Sequence, residues 1–290
     1  MKTIAVIGLG NMGGPMAANL AKEFNVRGFD VSDKARAALD APTFDTAEEA
    51  AQGADAVLTM LPNGELVKKV IGSLLEADNG EKLYIDSSTI AVSDAREVAQ
   101  MVQEAGSHFV DAPVSGGVAG ATAGTLAFMV GGEEEAFAAA KPYLEVMGRS
   151  ITHCGVSGNG QAVKACNNMI LAVHQIVLAE ALVLGERLGL DHQAFFDVVS
   201  NATGNSWALS VNAPVPDVVP GSPANNNFKP GFASALMLKD LNLAMVSAEE
   251  TGTDTVLGKI AAEQYAKFVD SGHAGLDFSA IINEVRAKGQ

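Results

Sequence analysis

In the first half of the chain, short apolar runs alternate with longer segments in which apolar and polar residues are mixed. The apolar runs have the length of strands, whereas segments 14–24 and 92–106 have the pattern of amphipathic helices. This alternation is typical of a parallel sheet with crossover helices. The predicted strands are 3–9, 26–30, 56–61, 83–88, 107–113, 125–132 and 150–155.

From about residue 160 the pattern becomes helical. Residues 161–190 predict one helix of about 45 Å, at about 1.5 Å per residue. The Pro- and Asn-rich segment 212–232 interrupts the later helices and predicts a surface loop or lid without regular structure. The chain is therefore predicted to have an α/β domain, 1–160, and an all-α domain, 161–290, that includes the long interdomain helix.

Composition and charge exclude several classes of partner. The 290 residues are 48% hydrophobic and 18% charged, which favours compact domains over disorder. The formal net charge of −15 would repel nucleic acid and anionic membranes, so neither is expected as a partner. Two cysteines without a CxxC spacing, and histidines without an HExxH pattern, predict a reduced compartment and no metal site.

Two further features predict a cytoplasmic protein. The apolar run 165–179 contains asparagine, histidine and glutamine and is too short and too polar for a predicted membrane span. The first residues enter a predicted strand at once, which leaves no room for a targeting peptide.

A glycine-rich turn after the first predicted strand indicates dinucleotide binding. Gly8, Gly10 and Gly13 form a G-x-G-x-x-G pattern between a strand and a helix, the context that this motif requires. Such glycines permit a tight turn, close approach of a pyrophosphate and close helix packing. The candidate cofactor loop comprises Gly8, Leu9, Gly10, Asn11, Met12 and Gly13. A Rossmann-type N-terminal domain is therefore predicted.

The cofactor preference is predicted from the end of the second strand. Asp30 stands where a carboxylate binds the ribose hydroxyls and repels a 2′-phosphate, which favours NAD over NADP. Arg27 and Lys34 lie nearby in the sequence and weaken this inference.

The ends of the third and fourth predicted strands should lie at the same edge of the sheet, where ligands of open α/β sheets bind. Leu61 and Pro62 are candidates for packing on the cofactor, and Thr89 for approaching the nicotinamide. An ordinary strand-terminating turn explains each of them equally well.

The segment "DAPVSGGVAGATAG" (111–124) contains a candidate anion site. The hydroxyl of Ser115 and the backbone amides of Gly116 and Gly117 form a cradle suited to a substrate carboxylate. A flexible glycine loop is the alternative.

Two lysines are candidates for chemistry. Lys164 and Asn168 are four residues apart on the predicted long helix and therefore share a face. Desolvation and a nearby cation lower the pKa of a lysine, so Lys164 could exchange a hydroxyl proton. A lysine that extends its ammonium to solvent is the alternative. Lys239, followed by Asp240, raises the same question, with a surface charge pair as its alternative.

Five segments together resemble the β-hydroxyacid dehydrogenase family, in the family's order and over essentially the whole chain. They are "GLGNMGGPMAANL", "MLPNG", "DAPVSGGVAGATAGTLAFMVGG", "GNGQAVKACNNMIL" and "LMLKDLNLA". The resemblance implies Lys164 as general acid/base, with the Ser115 loop and Asn168 holding the substrate carboxylate and hydroxyl. It also implies that Lys239 and Phe232 reach the substrate and the cofactor from the helical domain.

The Trp207 segment and the loop "SPANNNFKPGF" (222–232) resemble the branch of that family that acts on 3-hydroxyisobutyrate. The resemblance implies oxidation of this acid with NAD to methylmalonate semialdehyde, in valine catabolism, by a homodimer or homotetramer. A sibling such as a tartronate semialdehyde reductase is the alternative within the family. A non-catalytic dinucleotide-binding module is the alternative of a different class.

Overall fold

The computed structural model describes residues 1–77 and 80–288. The chain divides into two compact units, Met1–Lys164 and Ala165–Gln290. Within the first unit, parallel strands form a sheet in the order β2-β1-β3-β4-β5. These strands are β1 (Thr3–Ile7), β2 (Asn25–Phe29), β3 (Ala56–Thr59), β4 (Leu83–Asp86) and β5 (His108–Asp111).

Apolar side chains on both faces explain why these strands are continuous hydrophobic runs, as expected for a parallel sheet covered by helices on both sides. In β1, Ile4 and Val6 belong to one buried cluster, while Ala5 and Ile7 belong to another. The helices of this unit are α1 (Gly13–Leu20), α2 (Asp33–Ala37), α3 (Ala47–Ala51), α4 (Gly64–Ala77), α5 (Val92–Glu104), α6 (Gly117–Ala123) and α7 (Glu134–Met147).

A second, smaller sheet follows β5. Strand β6 (Val114–Ser115) pairs antiparallel with β7 (Leu126–Val130), and β7 pairs parallel with β8 (Gly148–His153). The short strand β6 was not predicted, because two residues carry no readable alternation. It places Ser115 at the end of a strand rather than inside a flexible loop.

Helix α8 (Asn159–Arg187) contains the boundary between the two units. With 29 residues, it has the length and position of the predicted long helix. By length and composition α8 is also apolar enough to cross a membrane, which its polar residues had not led us to predict. Half of its most apolar stretch is buried inside the protein. Core helices of soluble proteins show the same composition, so this feature is weak evidence for a membrane span.

The second unit is helical. Its core includes the buried stripe of α8 together with Tyr265 and Phe268. After α8 follow α9 (His192–Val199), α10 (Trp207–Ser210), α11 (Ser234–Thr251), α12 (Val256–Phe268) and α13 (Ile282–Ala287), with a π-helical segment at Val269–His273 and a 3₁₀ helix at Phe278–Ile281. The predicted fold class, a Rossmann-type domain and an all-α domain joined by a long helix, is confirmed.

The expectation for segment 212–232 is wrong in two respects. Pro223–Asn226 forms a 3₁₀ helix, which Ser222 caps by accepting from the Ala224 amide at 3.3 Å. Ala213 and Val215 are fully buried in the core of this unit, so the segment is not only a surface loop. Proline at the first positions of a helix lacks only an amide that would have no partner there, which is why regular structure is possible in this composition.

Candidate active site

The candidate cofactor loop joins β1 to α1 through a tight turn. The Gly8 amide donates to the Phe29 carbonyl of β2 at 2.8 Å, and α1 begins at Gly13. A side chain at position 13 would overlap the Gly8 carbonyl oxygen, whereas a Cβ on Gly10 would meet nothing within 4 Å. The exposed backbone at Gly10 and Asn11 is therefore open to a ligand at the N-terminus of α1. Leu9 is buried and Met12 is half-buried beneath this turn.

We expect Gly10→Ala to raise the dissociation constant of NADH at least about tenfold, because a methyl group would stand where the pyrophosphate approaches the backbone. The free energy of unfolding should change by less than about 0.5 kcal/mol, since position 10 is exposed and uncrowded. NADH fluorescence titration and thermal unfolding measure the two quantities. Gly13→Ala, which creates a steric overlap, should lower both binding and stability. Unchanged NADH binding in Gly10→Ala would contradict this site.

Asp30 is fixed at the end of β2. Its carboxylate accepts from the Leu9 amide at 2.7 Å and from the Ser32 amide at 2.8 Å, which places a negative charge beside the cofactor loop. The Arg27 guanidinium donates to carbonyls of α3 and lies 4.0 Å from the centre of the Phe44 ring. Arg27 is therefore held at α3 and the Phe44 ring by these contacts. Lys34 lies on α2 and is exposed.

The ends of β3 and β4 are tied together. Leu61, which is half-buried, donates its amide to the Ser88 hydroxyl at 2.8 Å. The Ser88 amide in turn donates to the Asp86 carboxylate at 3.2 Å. Pro62 is exposed, and Thr89 is half-buried in the segment that leads to α5. These contacts hold the candidate cofactor residues of two strands at one edge of the sheet.

The Ser115 loop and Lys164 are neighbours within the first unit. Gly116 and Gly117 have φ of 130° and 59°, a backbone conformation that favours glycine, and they turn the chain from β6 into α6. Lys164 is only 8% exposed, and its Nζ donates to the carbonyl of Val114, the residue before Ser115, at 2.8 Å. This burial contradicts the alternative of a lysine extended to solvent. An amine is thus held beside the candidate anion cradle.

A buried carboxylate anchors the helix that carries Lys164. Asp111, at the end of β5, accepts from the amides of Gly158 at 2.6 Å and Gln161 at 2.9 Å. A Cβ on Gly131 would lie 2.5 Å from one carboxylate oxygen, and a Cβ on Gly160 would lie 2.7 Å from the other. Both glycines therefore make room for this carboxylate. Asp111 caps the first turn of α8 and fixes where it begins.

Burial raises the pKa of Asp111 to about 7, although the two backbone amides act in the opposite direction. An unfolded aspartate has a pKa near 3.9, so between about pH 4 and 7 the folded protein binds more protons at this site. We therefore expect the free energy of unfolding to decrease as the pH rises through this window, by up to about 1.4 kcal/mol per pH unit. Above about pH 8, where the carboxyl is ionised in both the folded and the unfolded state, this contribution no longer changes.

The comparison of wild type with Asp111→Asn isolates this group, because all other titrations are shared. Urea unfolding from pH 4.5 to 8 should give a difference in stability that changes in favour of the variant as the pH rises toward 7. Parallel pH profiles would contradict the raised pKa.

The helical unit contains a second polar group. Asn168, 3% exposed on α8, donates from its side-chain Nδ2 to the Asp240 carboxylate of α11 at 2.5 Å, and its Oδ1 accepts from the side-chain Nδ2 of Asn167 at 2.9 Å. Asp240 is itself 6% exposed, so the alternative of a surface pair of Lys239 and Asp240 is wrong. Lys239 is half-buried on the same helix.

Phe232 is positioned by a buried acid of the same unit. Its amide and that of Gly231 both donate to one oxygen of Asp277 at 3.0 Å, and the other oxygen accepts from the Ser279 hydroxyl at 2.6 Å. The Phe232 ring packs edge-on against Phe278, with centroids 5.7 Å apart. The backbone at Phe232 is therefore held rigidly.

Sequence reasoning did not identify the residues that hold these groups in place, chiefly Asp111, Gln161 and Asp277. Their partners lie far away along the chain, so periodicity gives no signal for them. A polar residue inside an otherwise buried stripe, such as Gln161 on α8, is the signal that was available.

Within residues 1–77 and 80–288, no group of three or more His, Cys, Asp or Glu side chains is placed to hold a metal ion.

The glycine turn and the carboxylate at the end of β2 are typical of a domain that binds a nicotinamide dinucleotide, and the buried Lys164 is a candidate for proton exchange. Residues 3–155 match the NAD-binding domain of 6-phosphogluconate dehydrogenase, and residues 158–285 match the NAD-binding domain of NADP-dependent 3-hydroxyisobutyrate dehydrogenase. The chain belongs to the 3-hydroxyisobutyrate dehydrogenase family and is an NAD-dependent hydroxyacid oxidoreductase.

Individual relatives are similar to the chain over nearly its full length. A probable 3-hydroxyisobutyrate dehydrogenase of Mycobacterium tuberculosis is 55% identical, with 99% of both chains covered. An NAD-dependent L-serine dehydrogenase of Pseudomonas aeruginosa is 42% identical over 97% of both chains. A solved structure of Mycobacterium tuberculosis 3-hydroxyisobutyrate dehydrogenase with L-serine matches with a TM-score of 0.95 and 54% identity, over 99% of both chains.

Proposed function

We propose that the protein oxidises 3-hydroxyisobutyrate to methylmalonate semialdehyde with NAD, as a cytoplasmic enzyme of valine breakdown. The observation that carries the proposal is the buried Lys164 amine, whose Nζ lies 2.8 Å from the carbonyl that precedes Ser115. In this proposal residues 1–160 bind NAD, and residues 161–290 serve substrate binding and oligomerisation.

Each residue of the site has a proposed task. Gly8 to Gly13 and Asp30 would hold the pyrophosphate and the ribose, while Leu61, Pro62, Thr89, Phe232 and Lys239 would contact the nicotinamide half. Bound NAD supplies the acceptor for the hydride that leaves the carbinol carbon. Lys164 takes the proton of the hydroxyl group in this proposal, because its amine is held at the Val114 carbonyl, next to the candidate carboxylate cradle.

The substrate would be held by its carboxylate and hydroxyl. Ser115, Gly116 and Gly117 offer a hydroxyl and backbone amides to the carboxylate. Asn168 is oriented by Asp240 and would contact the hydroxyl, with Lys239 adding a positive charge from the same helix as Asp240. Such fixed groups lower the barrier mainly by positioning the reacting atoms, which can contribute about 7–11 kcal/mol.

L-Serine is a second candidate substrate. The relatives include an L-serine dehydrogenase, and the solved Mycobacterium tuberculosis structure reported above contains L-serine. In both L-serine and 3-hydroxyisobutyrate, a carboxylate and a hydroxymethyl group are attached to the same carbon. The third substituent of that carbon is an ammonium in L-serine and a methyl group in 3-hydroxyisobutyrate. The same cradle and the same lysine would serve both.

NADH formation by the purified protein tests these candidates directly. The assay compares 3-hydroxyisobutyrate, L-serine, glycerate and 4-hydroxybutyrate, each with NAD and with NADP. Highest kcat/KM for 3-hydroxyisobutyrate with NAD supports the proposal, and highest kcat/KM for L-serine selects the second candidate. NADH binding without turnover of any acid would favour a non-catalytic dinucleotide-binding module.

We further propose that two copies of the chain associate through the helical unit. On α8, Ile170, Val177 and Leu184 recur every seven residues and are 52%, 54% and 61% exposed. A stripe with this spacing lies along one side of a helix and can pair with its own copy. Val177→Lys should shift the protein to a smaller species in sedimentation velocity, and an unchanged sedimentation coefficient would contradict this interface.

A further inference from the structure

The side chain of Gln161 joins α8 to the segment that carries Thr89. Gln161 is 2% exposed. Its Oε1 accepts from the Ile90 amide at 3.2 Å, and its Nε2 donates to the Ser88 carbonyl at 2.8 Å. The partners fix the orientation of the side-chain amide, because a backbone N–H requires an acceptor and a carbonyl requires a donor. Its two partners stand on either side of Thr89.

The backbone of Gln161 is fixed at the same time. Its amide donates to Asp111, which also holds the Gly158 amide and so sets the first turn of α8. Lys164 follows three residues later on the same helix, and residues at this spacing are neighbours on one face. The backbone of Gln161 therefore belongs to α8, which carries Lys164, and its side chain is bonded to the Thr89 segment.

The Thr89 segment is in turn connected to the end of β3. The Ser88 hydroxyl accepts from the Leu61 amide at 2.8 Å. Displacement of Ser88 would consequently move both segments proposed to contact the nicotinamide. From α8, Gln161 hydrogen-bonds the backbone of both neighbours of Thr89, Ser88 and Ile90.

We propose that Gln161 is a positioning residue, whose side-chain amide sets the placement of the Thr89 segment, and hence of the nicotinamide, relative to Lys164. The inference rests on the proposed function, in which the nicotinamide lies against Thr89 and Lys164 exchanges the proton. Hydride transfer requires the reacting atoms to be about 3–3.5 Å apart, and a misplacement of about 1 Å can lower the rate by about 10²-fold. A side chain that only filled space would be replaceable by an apolar one of similar volume.

Gln161→Met is the test variant, because methionine keeps the volume and removes both hydrogen bonds. Gln175→Met is the matched control on the same helix. Gln175 is 0% exposed, and neither polar atom of its side chain has a hydrogen-bond partner among the described residues. The control therefore makes the same replacement of a buried glutamine without breaking a hydrogen bond.

Two measurements separate positioning from folding. The first is hydrogen exchange of the Ile90 amide in the cofactor-free protein, followed in peptides that cover residues 86–92. The second is the single-turnover rate of hydride transfer, with 3-hydroxyisobutyrate or L-serine, whichever the wild type oxidises, and with the same acid deuterated at the carbinol carbon. NADH affinity and thermal unfolding are measured alongside.

For Gln161→Met we expect faster exchange at Ile90 and hydride transfer slowed by about 10- to 100-fold, with an isotope effect on the single-turnover rate at least as large as in the wild type. The dissociation constant of NADH should stay within about threefold, since the pyrophosphate and ribose sites are unchanged. Gln175→Met should match the wild type in all these quantities and unfold at the same or a higher temperature, because an unpaired buried amide is removed.

Hydride transfer at the wild-type rate in Gln161→Met would overturn the inference alone. So would equal losses in the two variants, or a loss explained by the unfolded fraction. A wild type that oxidises neither acid would instead overturn the proposed function and, with it, the task assigned to Gln161.

Discussion

Replacing Lys164 with alanine is expected to lower the turnover of a 3-hydroxy acid by about 10²- to 10⁴-fold, the range contributed by a general acid or base. In the proposed mechanism, the variant lacks the amine that accepts the hydroxyl proton. NADH affinity should change by less than about threefold, because the amine lies at the Ser115 loop and not at the pyrophosphate turn. Stopped-flow absorbance at 340 nm and NADH fluorescence measure the two quantities.

Two further variants make this expectation specific. Lys164→Arg supplies a side chain that stays protonated and cannot accept the hydroxyl proton, so it should be nearly as inactive as the alanine variant. Lys141→Ala removes a lysine that is 52% exposed on α7 and should leave kcat unchanged. Near-normal turnover in Lys164→Arg would show that charge, and not proton exchange, is what the site requires. Loss of NADH binding together with turnover in Lys164→Ala would indicate a structural role.

Asp30→Asn should reduce the preference for NAD over NADP, expressed as a ratio of kcat/KM values, by about 10- to 100-fold. Asparagine keeps an oxygen at this position but no longer repels a 2′-phosphate and binds the ribose hydroxyls less strongly. A hydrogen bond to a charged group contributes about 1.5–3 kcal/mol, which corresponds to this range. Steady-state kinetics with both cofactors at one ionic strength provide the ratio.

The control for Asp30 is Asp33→Asn. Asp33 lies three residues further on, is 91% exposed and pairs with Arg36, so the variant makes the same change in charge close to the site. Its cofactor ratio should equal that of the wild type. An equal shift in both variants would mean that the preference follows the overall charge of this surface and not the carboxylate at the end of β2.

The sequence was sufficient for the order of the elements and for the glycine turn, because those features depend on local patterns. Val and Ile in short runs form buried parallel strands, and Gly13 is required where α1 passes the Gly8 carbonyl. Both requirements are visible within a window of about twenty residues. The long helix is likewise readable, because its apolar stripe continues without a proline or a cap.

The contacts of the candidate site were less predictable, because they join residues far apart in sequence. Asp111 and Gln161 are 50 residues apart, and Gln161 and Ile90 are 71 residues apart. Asp240 appeared to be half of a surface pair until its burial and its bond to Asn168 were known. Segment 212–232 was misjudged because proline was taken as a sign of irregular structure only.

The carbonyl that accepts the hydrogen bond from Lys164 is that of Val114 in strand β6. Val114 pairs in register with Phe128 of β7. This acceptor is part of a sheet and is present whether or not a substrate is bound. A free lysine side chain has about 2 kcal/mol of rotamer entropy at 25 °C. For Lys164 that entropy is lost when the chain folds. Substrate association consequently does not have to order the amine, and its entropic penalty is smaller by up to that amount.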